Sequence, residues 1–159
     1  TGYHDHVLSE NAHYRDLGSR MWGRAHFVDS TVVFDRHGGV QDRKASGHVY
    51  LIRDREIHER LAACDASEHR RDRWGLNVPR HIEFKTDDGI AVVVKPVSIV
   101  SSGFSDIKML SEITLGLRDG KARKTIGLTE FVDPRRMRNP FFRWISDLRI
   151  GRSGKSPMF

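Results

Sequence analysis

Short segments in which apolar and polar residues alternate occupy most of this 159-residue chain, and turns containing glycine or aspartate separate them. Successive side chains of an extended strand point to opposite faces, so such alternation predicts strands that bury one face. In 19–27, for example, Met21, Gly23 and Ala25 share one face. The predicted strands are 2–6, 19–27, 30–35, 47–53, 56–60, 80–85, 90–100, 107–117 and 122–132. About eight or nine short strands predict an all-β fold, an antiparallel barrel or sandwich.

The turns favour a barrel whose strands follow one another in up-and-down order. Asp119-Gly120 lies between two apolar runs, which is a strong hairpin signal, and Asp54-Arg55 is a predicted tight turn. Pro96 lies inside the run 90–100 and predicts an edge or a bulge there, because proline has no backbone N–H. A barrel of about eight strands can enclose one small ligand.

Two segments depart from the strand pattern. Residues 61–75 are polar and rich in arginine, which predicts a loop or one short helix with solvated arginines. After Asp133 the chain is basic, and apolar residues recur at roughly helical spacing from Phe141. We therefore expect a barrel domain over 1–133 and a short basic C-terminal helix with a tail over 134–159. A nucleic-acid site in this basic segment is the weaker alternative, and we expect no nucleic-acid partner, since helix-turn-helix, zinc-finger and RNP patterns are missing from the sequence.

Composition excludes several classes of protein. The single cysteine, Cys64, excludes an internal disulfide framework and a cysteine-rich metal site. No run approaches the roughly 20 apolar residues of a membrane-spanning helix, and the start of the chain lacks the pattern of a signal peptide. We therefore expect a cytoplasmic protein with no membrane span. The chain begins on a strand-like motif without Met, which predicts that it is the C-terminal part of a longer protein.

The densest group of titratable residues lies in Gly-Tyr-His-Asp-His at 2–6. In a strand His4 and His6 share one face and Asp5 lies on the other. Burial and neighbouring charges move the pKa of such groups, so this cluster could donate a proton or hold a carbonyl group. A His-rich surface strand is the alternative interpretation. A metal site would need a further ligand, from His26 or His48, and the spacing does not favour one.

Aromatic and acidic residues on other strands are candidates for a ligand site. Trp22, Tyr50 and Phe104 could line an apolar cavity, since aromatic faces stabilise flat or cationic ligands. His26 and Glu130 could add acid–base groups. The alternative for all five is a structural role in the core or as hydrogen-bond partners. Nucleophilic catalysis has no support, because the chain contains no Gly-x-Ser-x-Gly motif.

Two motifs resemble a known family. Thr-Gly-Tyr-His-Asp-His at 1–6 and Met-Trp-Gly-Arg-Ala at 21–25 resemble the start of the C-terminal domain in the lipocalin-like hydroxyneurosporene synthase (carotenoid 1,2-hydratase) and AttH-like superfamily. That group also includes lipocalin-like Diels–Alderases of fungal natural-product pathways. Residues 127–130 agree with the same pattern. The family motif commonly continues Asn-Trp-Gly, whereas this chain continues Val7-Leu8-Ser9.

The resemblance implies two lipocalin-like barrels side by side, with an apolar ligand at or between them. The second barrel would lie in the same protein or in a partner subunit. Enzymes of this family add water to an isoprenoid double bond or fold a polyene for cycloaddition, without an organic cofactor. We therefore expect a lipocalin-like barrel that encloses an isoprenoid- or polyketide-like ligand and acts as a cofactor-free hydratase, isomerase or cyclase.

Carried over to this chain, the resemblance places His4, Asp5, His6 and Trp22 near the pocket and Glu130 near its rim. We therefore expect the catalytic residues to be His4, Asp5 and His6. With the candidates from the residue patterns above, the expected ligand-binding residues are Trp22, His26, Tyr50, Phe104 and Glu130. The alternative function is a non-catalytic carrier of a lipophilic small molecule, which needs the same barrel and only an apolar cavity.

Overall fold

A computed structural model of the protein describes residues 18–38, 44–73, 75–118 and 120–135, with the backbone alone at 44–46. These residues form ten strands: β1 (Arg20–His26), β2 (Thr31–His37), β3 (Lys44–Arg53), β4 (Glu56–Ser67), β5 (Arg70–Arg71), β6 (Asn77–Val78), β7 (His81–Thr86), β8 (Ala91–Ser102), β9 (Asp106–Gly116) and β10 (Ala122–Val132). No α-helix occurs within these ranges.

Eight of the strands form a closed antiparallel barrel in the order β1-β10-β9-β8-β7-β4-β3-β2. Barrel strands that follow one another along the chain are neighbours, and β1 closes the barrel against β10, where Trp22 lies opposite Glu130. The short strands β5 and β6 form a separate two-stranded sheet between β4 and β7. The predicted antiparallel barrel of eight or nine strands with up-and-down order is therefore confirmed.

Because the strands alternate in direction, the connections alternate between the two ends of the barrel. The tight-turn end has the short hairpins β1–β2, β3–β4, β7–β8 and β9–β10. The insertion end, which we name for the β5–β6 hairpin, has the β2–β3, β4–β7 and β8–β9 connections. The β3–β4 turn is the predicted one: Asp54 and Arg55 have φ values of 51° and 67°, the conformation of a two-residue hairpin turn that matches strand twist.

Inward-pointing side chains fill the described interior. Met21, Phe34 and Phe84 have no exposed surface, so no water-sized space borders them. The rings of Phe34 and Phe84 pack with their centroids 5.2 Å apart. Two inward glycines make room for these rings: a Cβ at Gly23 would lie 2.5 Å from Phe34 Cζ, and a Cβ at Gly47 would lie 2.8 Å from Phe84 Cε1. A ligand therefore finds more room at an end of the barrel than beside these rings.

The second half of β8 has no hydrogen-bonded strand on its β7 side among the described residues. This strand pairs with β9 over most of its length but with β7 only up to Val94. Its register against β9 shifts just after Pro96, as predicted for that residue, and again before Ser101. Ile99 and Val100, which follow the first shift, are more than half exposed. An apolar strip of β8 thus lies beside the insertion without a β7 neighbour.

The prediction of a loop or short helix over 61–75 is wrong for 61–67 and 70–71, which form strands, and the other described residues of this range lie in loops. β4 continues to Ser67, and the next residues form the β5–β6 hairpin. Ala62 and Cys64 point inward and are buried, so the alternation was present in the sequence. Alanine and charged residues are uncommon in strands, and pairing of β4 with both β3 and β7 overrides that preference.

The remaining fold predictions fall outside the described residues. They are the strand over 2–6, which contains His4, Asp5 and His6, and the C-terminal helix predicted from the spacing of apolar residues after Phe141. The part of the chain that the structure describes contains no helix long and apolar enough to cross a membrane.

Candidate functional site

A cleft opens at the insertion end, between the β5–β6 hairpin, the end of β8 and the start of β9. Its volume is about 290 Å³, just below the range of roughly 300–1,000 Å³ for small-molecule sites. Its lining residues are Arg70, Arg71, Asp72, Arg73, Val78, Arg80, Ile99, Ile107 and Met109. Four guanidinium groups and one carboxylate therefore surround a wall of apolar side chains.

Asp72 holds the hairpin in shape and ties it to the barrel. Its Oδ1 accepts a hydrogen bond from the Leu76 N–H at 2.7 Å, and its own N–H donates to the Leu76 carbonyl at 2.9 Å. Its Oδ2 accepts from Ser102 Oγ of β8 at 2.9 Å. Leu76 and Val78 are buried in the core, so the hairpin also rests on apolar contacts. These contacts give the cleft a defined wall.

The cleft has an excess of positive charge. In the described part of the chain, no ion pair or side-chain hydrogen bond engages Arg70, Arg71 or Arg80. Asp72 is the single acid of the lining, and both of its oxygens accept the hydrogen bonds given above. Planar guanidinium groups present paired donors that match a carboxylate or a phosphate. The arrangement therefore suits an anionic group.

The apolar wall extends beyond the cleft along β8. A neighbouring cleft of about 390 Å³ shares Asp72, Arg73 and Ile99 with the first and adds Val100. Ile107 and Met109 of β9 are inward-facing and almost completely buried, so they form the deep side of the first cleft. The two clefts together offer a continuous apolar strip beside the arginines.

Trp22 and Glu130, two of the predicted ligand-binding residues, lie opposite each other on β1 and β10. Their side chains point outward, because the inward positions next to them belong to Met21 and Thr129, which are buried. They therefore do not line the interior of the barrel, as a ligand enclosed there would require. Their role in binding stays a prediction.

Tyr50 also points outward, since its neighbour Val49 faces the core. It lies in a polar group with His48 and Glu59: His48 Nδ1 donates to Glu59 Oε1 at 2.7 Å, and the His48 and Tyr50 rings stack with centroids 6.1 Å apart. Hydrogen bonds from His48 and then Tyr50 lower the pKa of Glu59. Partial burial, followed by the contact with Glu59, raises the pKa of Tyr50. This group is half exposed to solvent and touches neither cleft.

The other predicted residues are spread over both ends. His26 is exposed near the tight-turn end, where its Nδ1 lies 2.8 Å from Thr31 Oγ1. Phe104 lies half-buried in the β8–β9 turn at the insertion end, and it is not among the residues that line the cleft. The structure therefore brings Trp22 and Glu130 together and separates the others.

Comparison with known proteins leaves the family open, because no protein-family model, curated protein or solved structure matches this chain. The resemblance to the hydroxyneurosporene synthase and AttH-like group therefore stays a prediction. Within the described ranges, no group of three or more His, Cys, Asp or Glu side chains has the geometry to hold a metal ion.

The arginines of the cleft are the functional candidates that sequence reasoning missed. Residues 70–73 were expected to be solvated, and Arg80 was assigned to the start of a strand. A usable signal was present: Leu76 and Val78 place apolar residues between the two basic groups, as in a hairpin that buries one face. The position of Ile107 and Met109 beside these arginines could not be inferred from neighbouring residues in the sequence, because the two side chains lie on β9.

Proposed function

We propose that this protein is a lipocalin-like barrel that binds a small lipophilic molecule with an acidic group, in the cleft at its insertion end. The observation that carries the proposal is the combination of Arg70, Arg71 and Arg80, which have no acidic partner among the described residues, with the apolar wall of Ile107 and Met109. A ligand with an acidic group and an apolar chain would contact both the arginines and the apolar wall of the cleft.

The packing of the barrel supports a site at the end. The rings of Phe34 and Phe84 occupy the described interior, whereas Ile99 and Val100 leave apolar surface exposed beside the insertion. An isoprenoid or polyketide chain could lie along this strip, with its carboxylate or phosphate against the arginines. A charge-assisted hydrogen bond to such a group contributes about 1.5–3 kcal/mol.

Isothermal titration calorimetry with decanoate and decanol tests the proposal. The wild-type protein should bind decanoate more tightly than decanol, because only decanoate carries the anionic group. Replacement of both Arg71 and Arg80 by glutamine should weaken decanoate binding by about 10- to 100-fold, according to the strength of such hydrogen bonds. The decanol affinity should change little.

Arg55→Gln is the matched control, because Arg55 is exposed in the β3–β4 turn at the opposite end. It removes one charge from the protein without touching the cleft. The single variant Arg80→Gln also removes one charge, and an equal loss of decanoate binding in Arg55→Gln and Arg80→Gln would mean that the effect is only one of net charge. No decanoate binding by the wild-type protein at millimolar concentration would overturn the proposed function.

The catalytic function that the resemblance implies stays a separate proposal. It depends on His4, Asp5 and His6, which lie outside the described residues. Replacing both His4 and His6 by alanine should abolish conversion of a trial polyene while the fold is retained, and unchanged conversion would remove that assignment. The second barrel and the cytoplasmic location also stay predictions.

A further inference from the structure

Three arginines of the cleft carry charge that no acid of the described residues balances. They are Arg70 and Arg71 of β5 and Arg80, which directly precedes β7, and no ion pair or side-chain hydrogen bond engages them in that part of the chain. The one carboxylate of the lining, that of Asp72, is already hydrogen-bonded to the hairpin and to β8. The lining has four guanidinium groups and one carboxylate, so three positive charges are in excess.

The hairpin and the start of β7 position two of these arginines. Arg70 lies directly opposite Val78, so the two side chains share one face of the hairpin, with their Cβ atoms about 5 Å apart. Val78 is buried, so Arg70 extends from the face that rests on the barrel. The Arg80 N–H donates to the Ser67 carbonyl at 3.2 Å, which fixes the backbone of Arg80 beside the end of β4. Arg70 and Arg80 are therefore both neighbours of Val78, one across the hairpin and the other along the chain.

Charge and the number of acceptor oxygens distinguish the acidic groups that such a cleft can bind. A carboxylate has a single negative charge and a pair of oxygens, so it balances only one of the three arginines. A phosphate monoester carries a charge of about −1.5 to −2 at pH 7 and has three acceptor oxygens. Each guanidinium group can bind such oxygens through paired N–H donors. A phosphate monoester therefore matches these arginines better than a carboxylate does.

The apolar side of the cleft favours a phosphate that carries an apolar chain. Ile107 and Met109 are each 1% exposed and form the deep side, whereas Ile99 is 55% exposed. A free phosphate ion would leave this surface of Ile99 in water. A chain attached to the phosphate would cover it, and removal of apolar surface from water favours binding.

We infer that the ligand of this cleft is a phosphate monoester of a single apolar chain. Arg70, Arg71 and Arg80 hold the phosphate, and the chain lies against Ile99. This inference rests on the proposed function, because it names the acidic group of the lipophilic molecule that the cleft binds.

Calorimetric titration with four probes tests the inference: decyl phosphate, decyl sulfate, decanoate and inorganic phosphate. All are used at constant ionic strength and at about pH 7.5, where the phosphate monoester is mostly a dianion, and the decyl compounds are kept below the concentrations at which they form micelles. Decyl sulfate has the tetrahedral shape of the phosphate but a single charge. The wild-type protein should bind decyl phosphate at least about 10-fold more tightly than each of the other three probes, because one further charge-assisted hydrogen bond has about this effect.

Two single variants locate the preference for phosphate. Arg70→Gln and Arg80→Gln should each weaken binding of decyl phosphate by about 10-fold and binding of decanoate by less, so that the preference for decyl phosphate falls. Arg55→Gln, at the opposite end of the barrel, is the matched control and should keep the preference of the wild type. A preference that Arg55→Gln lowers as much as Arg80→Gln does would overturn the inference.

The wild-type affinities separate failure of this inference from failure of the proposed function. Equal affinity for decanoate and decyl phosphate would overturn the inference and leave the proposed function in place. Equal affinity for decyl sulfate and decyl phosphate would also overturn it, because the second charge would then have no effect. Equal affinity for inorganic phosphate and decyl phosphate would identify free phosphate as the ligand and overturn the role of the chain. A lack of binding of both decanoate and decyl phosphate would overturn the proposed function and this inference together.

Discussion

Replacing Gly47 by alanine should destabilise the barrel, because the added methyl group enters space that the Phe84 ring occupies. The new Cβ would lie 2.8 Å from Phe84 Cε1 and 2.7 Å from the carbonyl oxygen of Asp35. The ring has no exposed surface and packs on Phe34, so it cannot move aside freely. This variant therefore measures how completely the interior is filled, which decides where a ligand can bind.

Two opposing effects set the size of the change. Overpacking of a well-packed core costs about 1–3 kcal/mol. Alanine restricts the unfolded chain more than glycine does, which stabilises by about 0.4–1 kcal/mol. The net loss in the free energy of unfolding should be about 1–2 kcal/mol, equivalent to a fall in Tm of about 3–6 °C for a protein of this size.

Gly116→Ala is the matched control. Gly116 is the last residue of β9, and a Cβ there would meet the Cβ of Ala91 at 3.6 Å, an ordinary contact. The control should be neutral or slightly stabilised. Urea denaturation and thermal unfolding of both variants give the comparison, and the double variant of Gly47→Ala with Phe84→Leu should recover part of the loss.

Equal stability of Gly47→Ala and Gly116→Ala would refute the reasoning. It would mean that the Phe84 ring can shift into free space. The interior would then have room for a ligand, and the enclosed site expected from the resemblance would be favoured over the cleft at the insertion end.

Two further predictions concern single side chains. Hydrogen bonds from Thr86 and Arg60 lower the pKa of Asp88 from 3.8 to about 2, so the ionised carboxylate stabilises the fold above about pH 4 and this contribution is lost as the pH falls towards 2. At pH 7, Asp88→Asn should therefore lower the free energy of unfolding by about 1 kcal/mol, after allowance for solvent screening, and urea denaturation at pH 3 should show a smaller difference from wild type. Asp87→Asn, at an exposed neighbouring position, should be close to neutral. A loss of stability in Asp88→Asn that does not depend on pH would argue against the ionic mechanism. Burial raises the pKa of Cys64 to about 12. Ellman's reagent at pH 8 should therefore modify this thiol in the folded protein at least about 100-fold more slowly than in the protein unfolded in urea. Rapid modification of the folded protein would show that the thiol is accessible.

Local signals in the sequence predicted most of the barrel. The alternation around Met21 separated the inward residues from the outward ones, and Asp54-Arg55 and Pro96 marked a turn and an irregularity that the structure contains. The end of β4 was missed because Ala62 and Cys64 are weak strand signals, and their pairing partners on β7 are distant in the chain. Long-range pairing decided that segment.

The candidate site was less accessible to sequence reasoning. Alternation placed Trp22 and Met21 on opposite faces of their strand. The aromatic side chain of Trp22 was nevertheless assigned to a ligand cavity, whereas in the closed barrel it points outward. Arg70 and Arg80 carried no motif. Their significance depends on the nearness of Ile107 and Met109, which lie on another strand.

The amino-acid sequence by itself determined the strands, their two faces and their tight turns, because these depend on residues next to one another in the chain. Only the tertiary structure decided which face became the interior, how the barrel closed and which arginines of the described residues were left without an ion pair. Closure pairs Trp22 with Glu130, and the inserted hairpin brings arginines to the apolar end of β9. Such contacts join distant segments, and their energy depends on the packing of the whole barrel rather than on any local pattern.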